Sequence, residues 1–219
     1  MQQPKRWWWV AVACTVIFIL FTIMVTALDG QTVDGHRLGL ATMNGWWRDL
    51  VGVNAAWRVV SDVVAVGTVF GAVGLLIVQI VAVVRGRGLR PVVRDWWGVD
   101  LVLISLGICY GLFQIVVINY RPLLMHGVAE ASYPSSHVLL FATVWPLLIL
   151  TLWRMTKRRW VRVTVMVVGM MVMLAGIVAR ALSGYHWLSD LVGGVLLGVT
   201  LVAWYLALQY NLPKPVQAD

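Results

Sequence analysis

The sequence predicts an all-α fold, an integral-membrane bundle of six helices, from its apolar content, its repeated apolar runs and the clustering of its basic residues. Of 219 residues, 61% are hydrophobic and 12% are charged, whereas an ordinary soluble domain carries about 25% charged residues. Each bilayer crossing takes roughly 20 apolar residues. The chain therefore has room for six short-looped spans and for no large soluble domain. It reads as a single transmembrane domain, 1–219, with any active site within or beside the bundle.

The apolar runs fall at 7–28, 63–84, 99–118, 138–153, 163–179 and 187–208. The fourth and fifth are short for a hydrocarbon core about 30 Å thick, so adjoining residues must extend them. In the first run, Val25, Thr26 and Ala27 resemble a small-residue cleavage site. Its apolar stretch exceeds the roughly 7 to 15 residues of a signal peptide, so it is read as a retained helix. The outer loop, about 29–61, is the longest non-spanning segment. In it Leu40, Met43, Trp46 or Trp47, and Leu50 recur at helical spacing, as in a helix lying on the outer leaflet. A lid over a lipid site and a plain connector anchored by tryptophans both fit that loop. The pairs Gly67/Gly71, Gly107/Gly111 and Gly194/Gly198 permit close helix approach. Cys14 and Cys109 lie inside apolar runs and read as small packing residues.

The net charge of +8 does not signal nucleic-acid binding, because the basic residues sit between apolar runs. Lys5, Arg6, Arg85, Arg87, Arg90, Arg94, Arg154, Lys157, Arg158, Arg159, Arg162 and Lys214 place twelve of the seventeen on one side. The positive-inside rule makes that side, with both termini, cytoplasmic. Arg37, Arg48, Arg58, Arg121 and Arg180 fall on the other.

Ionisable groups near membrane spans are costly and call for a partner or a task. Here they gather at the extracytoplasmic helix ends. Arg121 follows the third span, His137 opens the fourth, Arg180 closes the fifth, and His186 and Asp190 open the sixth. His186 and Asp190 are four apart and share one face if the helix has begun. The carboxylate can then fix one imidazole nitrogen and leave the other basic, fit for a general base or a nucleophile. A polar pair closing a helix end is the plainer alternative. Arg121 and Arg180 suit phosphate oxygens, since planar guanidinium groups match them and are expensive to hold without an anion. Pro134, Ser135, Ser136 and His137 form a turn into a helix start, where free N–H groups and hydroxyls can cradle an anion. Metal binding by the histidines and aspartate is disfavoured because the paired arginines would repel a cation. No metal or cofactor is expected. His126 and Glu130 read as solvated loop groups or gating residues, and His36 has no partner recognisable in the sequence.

Together these residues resemble the three motifs of the type 2 phosphatidic acid phosphatase superfamily, the integral-membrane lipid phosphatases. The third motif is Ala179, Arg180, His186 and Asp190 at the family spacing, with alanine for serine. The second is Pro134, Ser135, Ser136 and His137, with serine for glycine. The first keeps Arg121 and Pro122 but has Gln114 where the family has lysine. The motif region spans about 114–190. The resemblance implies metal-independent hydrolysis of a lipid phosphate or diphosphate, with polyprenyl diphosphate, phosphatidylglycerol phosphate and phosphatidic acid as substrate classes. It implies that His186 attacks phosphorus, that Asp190 fixes its tautomer and that His137 protonates the leaving oxygen. Arg121, Arg180, Ser135 and Ser136 would hold the phosphate, with Gln114 contributing a hydrogen bond but no charge. A bacterial plasma membrane suits so compact a chain. A phosphotransferase using the same histidine, or a non-catalytic lipid-phosphate binder or transporter, are the alternative readings.

Overall fold

The computed structural model describes residues 4–33, 35–87, 89–124 and 127–211; His126 and Lys214 lie outside them. The described elements are α1 (Pro4–Ala27), β1 (Gln31–Val33), β2 (His36–Leu38), α2 (Ala41–Val51), α3 (Ala55–Ala82), α4 (Leu89–Ile115), α5 (Ser136–Met155), α6 (Arg159–Leu182) and α7 (Leu188–Asn211). A π-helical turn, Val83–Arg87, follows α3. All but α2 among these helices are long and apolar enough to cross a membrane. The runs that looked short become helices of 20 and 24 residues because they recruit polar residues at both ends.

Helices α5 and α7 are the most buried spans and form the centre of the bundle. The surrounding helices turn Phe70, Val66, Ile104, Ile108 and Met171 outward, as a surface meeting lipid requires. The main core joins Leu75, Val99, Val102, Leu139, Leu147, Leu197, Leu201 and Tyr205 from α3, α4, α5 and α7. Helix α1 belongs to this packing: Trp7 stacks on Tyr210 at 5.8 Å, Trp8 meets Trp204 edge-on at 5.2 Å, and Ala11 packs with Ala203 and Ala207. At the same end, Arg154 donates to the Tyr205 hydroxyl at 3.0 Å.

The three glycine pairs behave differently. A Cβ on Gly198 would stand 2.6 Å from the Ala142 Cβ, and one on Gly194 would stand 2.9 Å from the Ser135 carbonyl, so this pair does bring α7 against α5. Gly71 abuts Leu148, but Gly67, Gly107 and Gly111 face open space. Gly107/Gly111 is therefore no close-packing motif within this chain. Gly198→Leu should destabilise the detergent-solubilised protein by at least about 1–3 kcal/mol through overpacking. Gly67→Leu should leave it within about 0.5 kcal/mol, as for a surface substitution. Paired thermal denaturation curves check both.

Between α1 and α3, the antiparallel β1–β2 hairpin and α2 occupy the loop expected to hold an interfacial helix. Trp46 and Leu50 are exposed on α2, while Ala41 and Asn44 are buried. Asn54 then caps α3, accepting from the N–H groups of Ala56 at 3.0 Å and Trp57 at 3.3 Å. This places Arg58 and Asp62 in the first two turns of α3.

Candidate active site

The polar cluster is assembled at one end of the bundle by two chain reversals. The first joins α6 to α7. Gly184 adopts φ 72°, and a Cβ there would collide with the Gly52 carbonyl, so only glycine suits this close approach. Ser183 donates through its hydroxyl to the Arg180 carbonyl at 2.7 Å and accepts through its own carbonyl from the Asn54 N–H at 3.0 Å. Arg180, in the last turn of α6, and His186, before α7, are thereby folded onto each other.

His186 and Asp190 do meet, though not on one helical face as the spacing suggested. His186 precedes the first residue of α7, and Asp190 in the first turn reaches back to accept from the Trp187 N–H at 3.0 Å. A carboxylate at this helix position serves the free N–H groups and the positive end of the helix dipole. Asp190 Oδ2 lies 3.5 Å from His186 Nδ1. Ser132 stands between them, its Oγ 3.1 Å from Nδ1 and making a short hydrogen bond to Asp190 Oδ2. On the other side of the ring, Arg180 Nη2 is 3.0 Å from His186 Nε2. A guanidinium can only donate. The partners therefore assign the proton to Nδ1, facing Ser132 and Asp190, and the lone pair to Nε2. Burial first, then the charges of Arg180 and Arg121, hold the His186 pKa well below the ordinary histidine value. The ring is neutral at pH 7.

A second layer of buried amides fixes Asp190. Asn119 Nδ2 donates to Asp190 Oδ1 at 3.4 Å and to Ser189 Oγ at 3.2 Å, and its Oδ1 accepts from the Gly39 N–H at 3.3 Å. Asn44 from α2 donates to Ser189 Oγ at 3.0 Å and accepts from the Ser189 N–H at 3.0 Å. Below it Tyr133 is buried and hydrogen-bonded to Thr22 of α1 at 2.7 Å, and burial pushes its phenol up to about 12. The segment between α1 and α3 thus supports the site through Gly39 and Asn44.

The second reversal runs from α4 to α5. Arg121 leaves a bridge between Tyr120 and Ala131, and its Nε pairs with Glu130 Oε2 at 3.2 Å. Arg48 of α2 donates to the Pro122 carbonyl at 2.5 Å, and His36 stacks on Tyr120 at 4.0 Å. At the start of α5, the Ser135 N–H donates to the Asp190 carbonyl at 2.9 Å, while its buried Oγ has no hydrogen-bond partner among the described residues. An unsatisfied buried hydroxyl at a helix N-terminus is suited to an anion. Ser136 and His137 follow in the first turn. Gln114, in the last turn of α4, is exposed, and its side chain makes no hydrogen bond among the described residues.

The group absent from the sequence reading is Asp62. Its Oδ1 lies 3.1 Å from His137 Nε2 and 3.3 Å from Arg180 Nη1, and its Oδ2 lies 3.6 Å from Arg58 Nε. Asn119, Ser132 and Asn44 were not singled out either. One signal pointed to Asp62: an acidic residue at the outer end of an apolar run, four residues after an arginine.

From Ser136 and His137 an apolar groove of about 390 Å³ runs between α3, α4 and α5, lined by Ala65, Val69, Leu106 and Gly107 among others. Ser136 and His137 are its contact with the polar cluster, and the rest of its lining is mostly apolar.

A membrane-spanning helical bundle with a buried histidine–aspartate pair and two arginines at one end is the class that fold and site define. Residues 87–214 match the PAP2 superfamily, and the chain belongs to that superfamily. It is similar to a solved structure described as a transmembrane PAP2 type phosphatidylglycerolphosphate phosphatase from Bacillus subtilis, at 21% identity and a TM-score of 0.54. The match covers 90% of this chain and 94% of that one, and at this identity it speaks for the fold. No curated protein matches the chain. Membership supports lipid phosphate phosphatase activity in general.

Proposed function

We propose that this protein hydrolyses a lipid phosphate or diphosphate without a metal ion, through a phosphohistidine on His186. The observation that carries this reading is the orientation of one ring: Nδ1 toward Ser132 and Asp190, Nε2 toward Arg180. A substrate phosphoryl group takes over the Arg180 N–H groups, with Arg121 and the Ser135 hydroxyl as further donors, and the lone pair on Nε2 is released for attack. The Nε2–P bond forms as the bond from phosphorus to the leaving oxygen breaks, and His137 gives that oxygen its proton. The imidazolium so formed keeps its Nδ1 proton, stabilised through Ser132 and Asp190. Water then attacks phosphorus, His137 takes its proton, and inorganic phosphate leaves with Nε2 again unprotonated.

The basic residues at the opposite helix ends favour cytoplasmic termini and an extracytoplasmic site, and the compact chain suits a bacterial plasma membrane. The groove supports a substrate whose tail stays among apolar side chains while its headgroup reaches His137. Phosphatidylglycerol phosphate, named for the Bacillus protein, stands beside polyprenyl diphosphate and phosphatidic acid as a substrate class.

The test is phosphate release from these three lipids by detergent-purified protein with chelator present, with His186→Ala as control. Release by the parent alone is expected. Strong chelator inhibition that a divalent cation reverses would overturn the metal-free step. Loss of the lipid phosphate only when an acceptor alcohol is supplied, with the phosphoryl group recovered on that acceptor and not as inorganic phosphate, would identify a transferase instead.

Filling the groove tests the tail site. Gly107→Leu places a side chain where no neighbouring atom stands within 4 Å. Loss of two or three buried CH₂ contacts should raise KM for a long-tailed substrate about 15- to 60-fold relative to a short-chain one. An unchanged KM ratio would place the tail elsewhere.

A further inference from the structure

The buried Arg180 of this site already has an anion, and it belongs to the protein. Arg180 is 2% exposed at its side chain, whereas the Asp62 side chain paired with it is 43% exposed. The guanidinium is a fixed part of the interior, and the carboxylate reaches it from the rim of α3. On Asp62 Oδ1 converge a guanidinium N–H from α6 and the His137 Nε2 from α5. A phosphoryl ester needs this same pair of partners, one to hold an oxygen and one to protonate the leaving group.

We propose that Asp62 is an internal competitor for the phosphate: it occupies the Arg180–His137 position in the empty enzyme and must withdraw for the substrate headgroup to bind. This inference rests on the phosphate-binding reading of the site given above. A buried guanidinium without an anion is strongly unfavourable, so a resident carboxylate stabilises the empty state. Withdrawal leaves no charge stranded. Arg58, one turn earlier on α3, already lies 3.6 Å from the other Asp62 oxygen, and it is itself held over the Tyr185 ring at 4.7 Å. Half-exposed, Asp62 can exchange Arg180 and His137 for Arg58 and water.

Two consequences follow for affinity. The apparent dissociation constant of any phosphate ligand is the intrinsic one divided by the fraction of molecules in which Asp62 has withdrawn. The inorganic phosphate produced by the reaction meets the same competition, so Asp62 also favours its departure. The competitor thus limits product inhibition and makes selectivity depend on the rest of the lipid.

The test is titration of inorganic phosphate into the full-length, detergent-solubilised protein by calorimetry, which needs no turnover, for the parent, Asp62→Asn and Asp62→Ala. Asparagine keeps the shape and alanine removes it. Both should bind phosphate about tenfold more tightly than the parent, the effect of removing one nearby negative charge. Adding Arg180→Ala to Asp62→Asn should abolish that gain. Equal or weaker binding by the Asp62 variants, or a gain that survives loss of Arg180, would overturn the proposal while leaving the hydrolase reading intact. Absence of phosphate binding in every protein, parent included, would remove the anion site itself and both readings with it.

Discussion

His186→Ala is expected to lower turnover by about 10,000-fold or more while leaving the bundle folded, since it deletes the covalent nucleophile of the proposed mechanism and such deletions have effects of that order. The fold should survive because Arg180 retains Asp62 and Asp190 retains Ser132, Asn119 and the Trp187 N–H. The measurement is steady-state phosphate release beside a thermal denaturation curve, with acid-labile labelling of the protein as a third readout. Residual turnover within about tenfold of the parent would exclude His186 as the nucleophile, since removing it should cost orders of magnitude more. The same variant reports on protonation. Burial keeps His186 unprotonated in the folded protein below the pH at which a free histidine, with a pKa of about 6.5, takes up a proton. The unfolded chain therefore binds the extra proton, and stability falls as pH drops below about 6.5. His186→Ala should shrink the loss of thermal stability between about pH 7 and pH 5, because it removes that difference in proton uptake.

The spans were legible in the sequence because a bilayer permits few solutions: apolar runs of the right length must be helices that satisfy their own hydrogen bonds. The histidine, aspartate and arginines stood out for a related reason, since charge at an apolar helix end is costly enough to be conspicuous. What escaped was held by partners far away in sequence. Ser132 joins His186 and Asp190 across 54 and 58 residues, and Asn44 meets Ser189 across 145. Neutral amides and hydroxyls in polar loops carry no local mark of that burial. Asp62 was hidden differently: with Arg58 it reads as an ordinary i,i+4 surface pair, and only the packing of α3 against α5 and α6 brings it to His137 and Arg180. The glycine pairs show the limit of a motif. The same spacing closes α7 onto α5 at Gly194/Gly198 and leaves Gly107/Gly111 without a close neighbour among the described residues.

Asp190→Asn is expected to reduce turnover by about 1,000- to 10,000-fold, because in the proposed mechanism the aspartate first chooses which nitrogen of His186 keeps the proton. Asp190 Oδ2 receives the Ser132 hydroxyl and the Trp187 N–H and faces Nδ1, a surrounding that offers only donors. An amide in that position must turn either its oxygen or its NH2 group toward Ser132. With the NH2 group there, Ser132 accepts from it and donates to Nδ1, the ring proton moves to Nε2, and the lone pair that should attack phosphorus is gone. With the oxygen there, the tautomer survives, but the charge that stabilises the phosphorylated imidazolium is absent. Either outcome slows chemistry more than binding, so kcat should fall with little change in phosphate affinity, which Arg180 and Arg121 continue to supply. Nitrogen chemical shifts of the His186 ring distinguish the two cases. A variant that kept both kcat and the Nδ1–H tautomer would mean that Ser132 alone orients the nucleophile, and Asp190 would then serve only to hold the start of α7.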